Sequence, residues 1–405
     1  MKALAGVRVL DLSRVLAGPW SSQLLADLGA EVIKVEHPHG GDETRGWGPP
    51  WLGGENGEDG PSAYFLASNR GKRSVGIDFS HPRGQELLRQ LAADSDILLE
   101  NFRPGRLARY GLDYTSLSSL NPGLIYCSIS GFGQTGPYRE RAGYDLLLQA
   151  MGGLMSITGP RDDEGGEPVK VGVALTDILT GLYATIGCLA ALREREATGQ
   201  GQHIDLALMD VQVATLANQA MNYLVGGQIP GRMGSAHPNI VPYQAFRAAD
   251  DWLVLAVGND GQFQRLCQVL DQADLADDPR FRRNADRVAN REQLLPLIEQ
   301  VLAKQPRRHW LDLLEAAEVP AGPVNDMAAV FDDPQVRHRG LARTLWHERL
   351  GGVPSVANPL LSGTNWADSS KPPPLPGEDT ETTLKDRLGL DSASIGALRR
   401  EGIIR

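Results

Sequence analysis

Cysteine is scarce in this sequence: Cys127, Cys188 and Cys267 are the three among 405 residues. They stand far apart in apolar surroundings, with neither disulfide arithmetic nor metal-ligand spacing, which predicts that they fill core space as small hydrophobes. Basic charge is also short. Fifty acidic against forty basic residues leave a formal net charge of −10, which opposes binding to a phosphate backbone or an anionic membrane surface. No nucleic-acid or membrane partner is expected. Long apolar runs are missing too: in VGVALTDILTGLYATIGCLAAL (171–192) the stretch from Ile178 to Leu192 is fifteen residues, short of the ~20 a spanning helix needs. The opening MKALAGVRVLDLSR turns polar too soon for a signal-peptide core, so a cytoplasmic protein is expected. Neither HExxH nor G-x-S-x-G occurs, which argues against a zincin and against a nucleophile elbow. The eight histidines are scattered, His37 and His39 beside Gly40 and Gly41 read as a loop, and no metal site is predicted.

Alternating strands and helices dominate what is present. With 41% hydrophobic residues, the chain is long enough for two domains or one large α/β unit. Val7 to Leu12 reads as an apolar strand, Trp20 to Leu28 as a helix stopped by Gly29, and Val32 to Glu36 as a second strand. A helix over 82–93 opens with Pro82, strands follow at Asp96 to Glu100 and Leu124 to Ser130, and GFGQTGP makes a turn. This order predicts a mostly parallel sheet covered by helices. The glycine- and proline-bearing GGQIPGRMGSAHPN (226–239) reads as a linker. After it, VPYQAFRAADDWLVLAVG reads as a hairpin, with helices at 262–271, 291–304 and 308–318, which is α+β order. The tail carries the extended KPPPLPGEDT and two short helices ending near Arg400.

A βαβ start with Glu36 closing its second strand suggests dinucleotide binding, but the first turn, DLSRVLAGPW, lacks the G-x-G-x-x-G that lets a backbone approach pyrophosphate. Asp177, alone at the head of its apolar run, has two readings. It can cap the helix, as aspartate often does before a first turn, or it can act as a nucleophile. The helix dipole favours an ionised carboxylate there, and an anion at its ordinary pKa of about 3.9 needs no general base. A carboxylate nucleophile forms anhydrides or esters and requires water to be shut out. The segment Gly258, Asn259, Asp260, Gly261, Gln262 reads either as an ordinary strand-to-helix turn or as a cover that exposes amides or moves. Arg45, Arg70, Arg73 and Arg141 lie in loop-like stretches and read either as surface charges, the commoner case for each alone, or as clamps for carboxylates or phosphates.

Several longer strings narrow these choices: RVLAGPW (14–20), LGAEVIKVEHP (28–38), GDETRGWGPP (41–50), NRGKRSV (69–75), ENFRPG (100–105), GFGQTGPYRERAGYD (131–145) and GVALTDILTG (172–181). Through them the chain resembles, essentially from end to end, the class III CoA-transferase family, the group of formyl-CoA transferase and carnitine CoA-transferase. RAGYD, GLMSITG, IVPYQAF and VGNDGQF make it most similar to the succinate–hydroxymethylglutarate branch. The resemblance implies that Asp177 is the nucleophile, passing through an acyl anhydride and an aspartyl-CoA thioester. It assigns CoA contacts to Val15, Leu16, His37, Arg73, Asn101, Phe102 and Arg109. Trp47 and Tyr144 fall at the acyl site, with Gly258, Gly261 and Gln262 in a glycine-rich cover. Acyl-CoA and small carboxylic acids are then substrates, with no tightly bound cofactor.

Two positions depart from the family pattern. Leu16 stands where formyl-CoA transferase has glutamine, which disfavours formate and oxalate and leaves a dicarboxylate such as succinate or glutarate; His37 replaces a basic residue near the adenine nucleotide. A racemase relative would carry histidine at Tyr144, and a phenol of pKa near 10 is a poor base at neutral pH. A non-catalytic acyl-CoA binder is the reading from another class, and an intact Asp177 opposes it. The implied architecture is α/β: a large Rossmann-like parallel-sheet domain from 1–220 and 331–405, a small α+β domain over 221–330, and an interlocked homodimer.

Overall fold

The computed structural model describes residues 2–53, 60–360 and 369–405. Six short strands, β1 (Arg8–Asp11), β2 (Glu31–Glu36), β3 (Lys72–Gly76), β4 (Ile97–Glu100), β5 (Ile125–Ser130) and β6 (His203–Ala207), form one parallel sheet in the order β3-β2-β1-β4-β5-β6. Leu10 pairs with Ile33 on one side and Leu98 on the other. Successive strand residues point to opposite faces, so the sheet feeds two cores. Leu10, Ile33, Leu98 and Tyr126 pack with Leu87 and Leu91 of the helix Pro82–Ala93 and with Leu384 and Ile395 near the C-terminus. Val9, Val32, Ile97, Leu99, Ile125 and Cys127 pack with the helices Ala17–Asp27 and Leu175–Thr198. All three cysteines are buried.

The order of strands reverses between β1 and β4. In open parallel sheets the crevice outside the carboxyl ends at that reversal is where ligands settle. The turn after β1 carries Val15 and Leu16, and the residues after β4 are Asn101 and Phe102.

Two helices differ instructively from their expected spans. The first begins at Ala17 rather than after Pro19, because a proline in the first turn removes only an amide that has no partner there. The apolar run 178–192 belongs to a helix of 24 residues, Leu175–Thr198, ended by Gly199 at φ 70°. By length and composition that helix could cross a membrane. It is instead a core helix of the sheet's second face, with Thr180, Gly181, Ala184, Thr185 and Cys188 buried against protein.

By internal contacts the described chain forms two compact units, Met1–Gly153 with Val171–Ala220 and Gln335–Arg405, and Leu154–Lys170 with Met221–Pro334. Leu154–Lys170 lies inside the stretch expected in the large domain, yet it bonds within the second unit: Arg161 reaches Glu292 at 2.9 Å and Arg232 donates to the Pro160 carbonyl at 3.2 Å. That unit holds an antiparallel sheet of β7 (Tyr243–Arg247), β8 (Trp252–Ala256) and β9 (Ala321–Pro323). Phe246, Leu253, Leu255, Phe263, Leu294 and Trp310 form its core. The first unit adds a hairpin, β10 (Ala342–His347) with β11 (Gly351–Val356), that the sequence did not announce.

Candidate active site

Asp177 is the third residue of its helix, and the N-cap is Ala174 with no side-chain cap. The capping reading is therefore overturned: Asp145 does that work from outside, its Oδ1 accepting the Thr176 amide at 2.8 Å and the Asp177 amide at 3.3 Å. Gln149 Nε2 donates to the other Asp145 oxygen at 2.6 Å, and Thr176 Oγ1 donates to the buried Gln212 at 2.6 Å. With the orphan amides taken, the Asp177 carboxylate is left free.

Its protonation also differs from expectation. Burial first, and then the neighbouring Asp145 charge, push the Asp177 carboxyl up to about 7. The helix dipole, worth typically ~0.3–1 kcal/mol near a terminus, is the weaker influence. Asp177 is consequently divided between acid and carboxylate at neutral pH. The same charges act on Tyr64, which burial, then Asp177, Asp145 and Asp42, push up to about 12. Its ring meets Trp47 edge-on at 5.2 Å. Tyr64 and Asp145 were not singled out from sequence; RAGYD contains Asp145, but no local pattern distinguishes it from an ordinary first-turn acid.

Backbone proximity packs the helix of Asp177 against the helix that follows the β1 turn. Gly181 lies where a Cβ would sit 2.7 Å from the Ala17 carbonyl, and one turn later Thr185 Oγ1 meets Ser21 Oγ at 3.0 Å. The two helices thus run parallel, one turn matched to one turn. Continuing that register one turn back from Gly181 and Ala17 brings Asp177 level with the Ser13–Leu16 turn.

The other expected residues divide. Val15 and Leu16 stand at that level, Val15 at φ 69° and Leu16 buried as the N-cap of the helix Ala17–Asp27. Asn101 is spent on the backbone, accepting the Arg14 amide at 2.9 Å and donating to its carbonyl at 2.7 Å. Phe102 is buried, with the Arg14 guanidinium 5.1 Å from its ring centre. Trp47 and Tyr144 are open to solvent, Tyr144 just before Asp145. Arg109 is exposed on a short 3-10 turn. His37 is exposed and tied into its own turn by His39. Arg73 lies early in β3 and pairs with Glu31 at 3.4 Å, toward the opposite end of the strands from Val15.

Two of the loop arginines are not free to grip substrate. Arg45 forks onto buried Glu36 at 2.7 and 2.6 Å, and Arg70 onto Asp27. Burial leaves such cations no alternative to an internal carboxylate. In the second unit, Gly258–Gln262 is the opening of the helix Asp260–Val269 rather than an open loop. Asn259 caps it by accepting the Gln262 amide at 2.9 Å, Gln262 Oε1 accepts the Gly258 amide at 2.8 Å, and buried Arg287 holds Asp260 at 2.9 Å. Among the described residues no group of three or more His, Cys, Asp or Glu could hold a metal ion.

Comparison with known proteins gives the family. The family model for CoA-transferase family III matches residues 4–380. The chain is 50% identical over 383 residues to the succinate–glutarate CoA-transferase of Agrobacterium fabrum, covering 95% of each. It is 44% identical over 405 residues to human succinyl-CoA:glutarate CoA-transferase, covering all of this chain and 90% of the human one. The crystal structure of a CaiB/BaiF family protein from Brucella suis superposes with a TM-score of 0.83 at 49% identity, over 95% of this chain and 99% of that one. A doubly wound sheet without the dinucleotide glycines, an uncapped acid on its core helix, and relatives across nearly the whole length lead to one assignment: the chain belongs to CoA-transferase family III and is a CoA-transferase.

Proposed function

We propose that this enzyme moves CoA between two dicarboxylates, succinate and glutarate, through covalent intermediates on Asp177. The observation that carries the proposal is the Asp177 carboxyl, relieved of capping by Asp145 and level with the β1 turn. The names of the relatives at 44–50% identity supply the acids. The ionised carboxylate attacks the thioester carbonyl of the donor acyl-CoA; the C–S bond breaks, CoA leaves as thiolate, and an acyl-aspartyl anhydride remains. The thiolate attacks the aspartyl carbonyl, freeing the donor acid and leaving an aspartyl-CoA thioester. The acceptor carboxylate attacks that thioester, and the released thiolate returns to the acceptor's carbonyl, restoring the Asp177 carboxylate. One thioester enters and one leaves, so little free energy is lost provided water stays out.

Trp47 and Tyr144 would line the acyl side, with Tyr64 as an added donor, while Val15, Leu16, Phe102 and Arg109 would receive CoA and Asn101 would shape the turn that carries Val15. The large domain formed by both chain ends binds CoA. The working form is a cytoplasmic homodimer with interlocked subunits. Leu182, Tyr183 and Ile186 on the core helix and Leu146 and Leu147 near Asp145 are exposed, an apolar extent that a second copy would cover.

Mass spectrometry after incubation with succinyl-CoA tests the chemistry. A CoA or succinyl adduct is expected on the peptide bearing Asp177 and absent from Asp177→Ala, which should also lose transfer to glutarate. An undiminished transfer rate in Asp177→Ala would refute the mechanism, and transfer only to monocarboxylic acids would refute the substrate assignment.

A further inference from the structure

We propose that Asp42, paired inside the large unit with Lys34, is a positioning residue for CoA transfer: it holds the Val15 amide and keeps the turn Ser13–Leu16 in the shape that receives acyl-CoA. The inference rests on the reading that Val15 and Leu16 meet the substrate.

Val15 is a β-branched residue at φ 69°, a left-handed conformation that such residues adopt only when their surroundings impose it. Side chains impose it here. The Ser13 amide donates to Asp11 Oδ1 at 2.9 Å, and the Ser13 carbonyl accepts from Lys34 Nζ at 2.9 Å. Asn101 holds both the amide and the carbonyl of Arg14, at 2.9 and 2.7 Å. The Val15 amide is shared between the two oxygens of Asp42, at 3.3 and 3.4 Å. Three successive residues are thus gripped by side chains from the end of β1, from within β2, from the residue after β4 and from the loop after β2.

Asp42 is itself fixed on every side. Its Oδ1 accepts the Thr44 amide at 3.0 Å and the Thr44 hydroxyl at 2.7 Å, its Oδ2 meets Lys34 Nζ at 2.9 Å, and its own amide donates to Glu36 at 2.9 Å. Burial opposes its ionisation, but the Lys34 charge and the Thr44 donors outweigh burial and bring its carboxyl down to about 2. Both side chains of the pair are fully buried, so neither can touch substrate. A buried ion pair is seldom better for stability than apolar residues of the same volume. What Lys34 and Asp42 do that apolar residues could not is grip the Ser13 carbonyl and the Val15 amide at once.

Asp42→Asn removes the grip without changing shape. The amide has one acceptor oxygen, which the Thr44 donors already claim, and its NH2 then faces another donor. Lys34→Met/Asp42→Asn also gives up the Lys34 bond to the Ser13 carbonyl but leaves no buried cation unpaired. Transfer from succinyl-CoA to glutarate is measured for wild type and both variants, with melting temperatures to identify the folded ones. Each folded variant should lose about tenfold to a hundredfold in kcat/KM, carried mostly by kcat, as expected when a reacting group is misplaced by ~1 Å. Adding Val15→Gly to that variant should recover about threefold or more, since glycine adopts a positive φ unaided; a merely structural role for Asp42 predicts no such recovery. A folded variant with kcat/KM within twofold of wild type, or no recovery with glycine, overturns the inference. Absence of transfer in wild type would instead overturn the functional reading.

Discussion

Replacing Asp145 with asparagine should move the acid limb of the pH profile to lower pH. The substitution keeps an acceptor oxygen for the Thr176 and Asp177 amides, at 2.8 and 3.3 Å, but removes the charge that is the second cause of the raised Asp177 carboxyl. Burial, the larger cause, remains, so the new midpoint should lie below 7 yet above the ordinary value of 3.8. The consequence can be sized. At pH 6 a group titrating at about 7 is ionised in roughly one molecule in ten, and lowering it by about one unit, ~1.4 kcal/mol, makes that roughly one in two. A rise of about fivefold in kcat/KM at pH 6, with little change at pH 8, is therefore expected for Asp145→Asn. The assay is CoA transfer from succinyl-CoA across pH 5 to 9. An acid limb that stays put, or a wild-type limb centred in the ordinary carboxylate range, would refute the reasoning.

The same shift has a stability consequence of definite sign. The folded-state value of Asp177, about 7, lies above its ordinary 3.8, so the acid form is tolerated at low pH and a cost accumulates as pH rises through that window. Asp177→Asn should match wild type at pH 4 and be more stable at pH 8 by about 1–2 kcal/mol, allowing for partial solvent screening; equal denaturant midpoints at pH 8 would contradict this. Gly181→Ala places a methyl 2.7 Å from the Ala17 carbonyl, a clash with backbone that should destabilise by about 1–3 kcal/mol and displace Asp177 enough to depress kcat. An unchanged melting temperature and rate would show that the two helices have slack. Light scattering should give twice the chain mass; a fully active monomer would remove the homodimer.

The parallel sheet was legible because strand and helix periodicity and turn chemistry are local properties: a run such as Val32 to Glu36 declares itself within a few residues, and β2 spans Glu31–Glu36. Boundaries shifted where a single residue was ambiguous, as with Pro19 at the start of its helix. Site residues were less legible. Arg45 and Arg70 read as available cations, and only folding shows their guanidinium groups spent on Glu36 and Asp27. Asn101 read as a ligand contact, and the fold gives its amide to the Arg14 backbone. Arg287, fully buried under Asp260, carried no signal, since arginine on an amphipathic helix is ordinarily at the surface.

Taken alone, the amino-acid order settled the α/β class and the family and singled out Asp177 as the candidate, because these depend on short apolar patterns and on strings of residues read in line. The tertiary structure decided what kind of acid Asp177 is. Its solvent, its neighbour Asp145 thirty-two positions earlier, and the Gly181 approach that brings it level with Val15 exist only once distant segments are packed. A carboxyl group's charge is set by the water it loses and the charges it meets, and neither quantity is local in the chain.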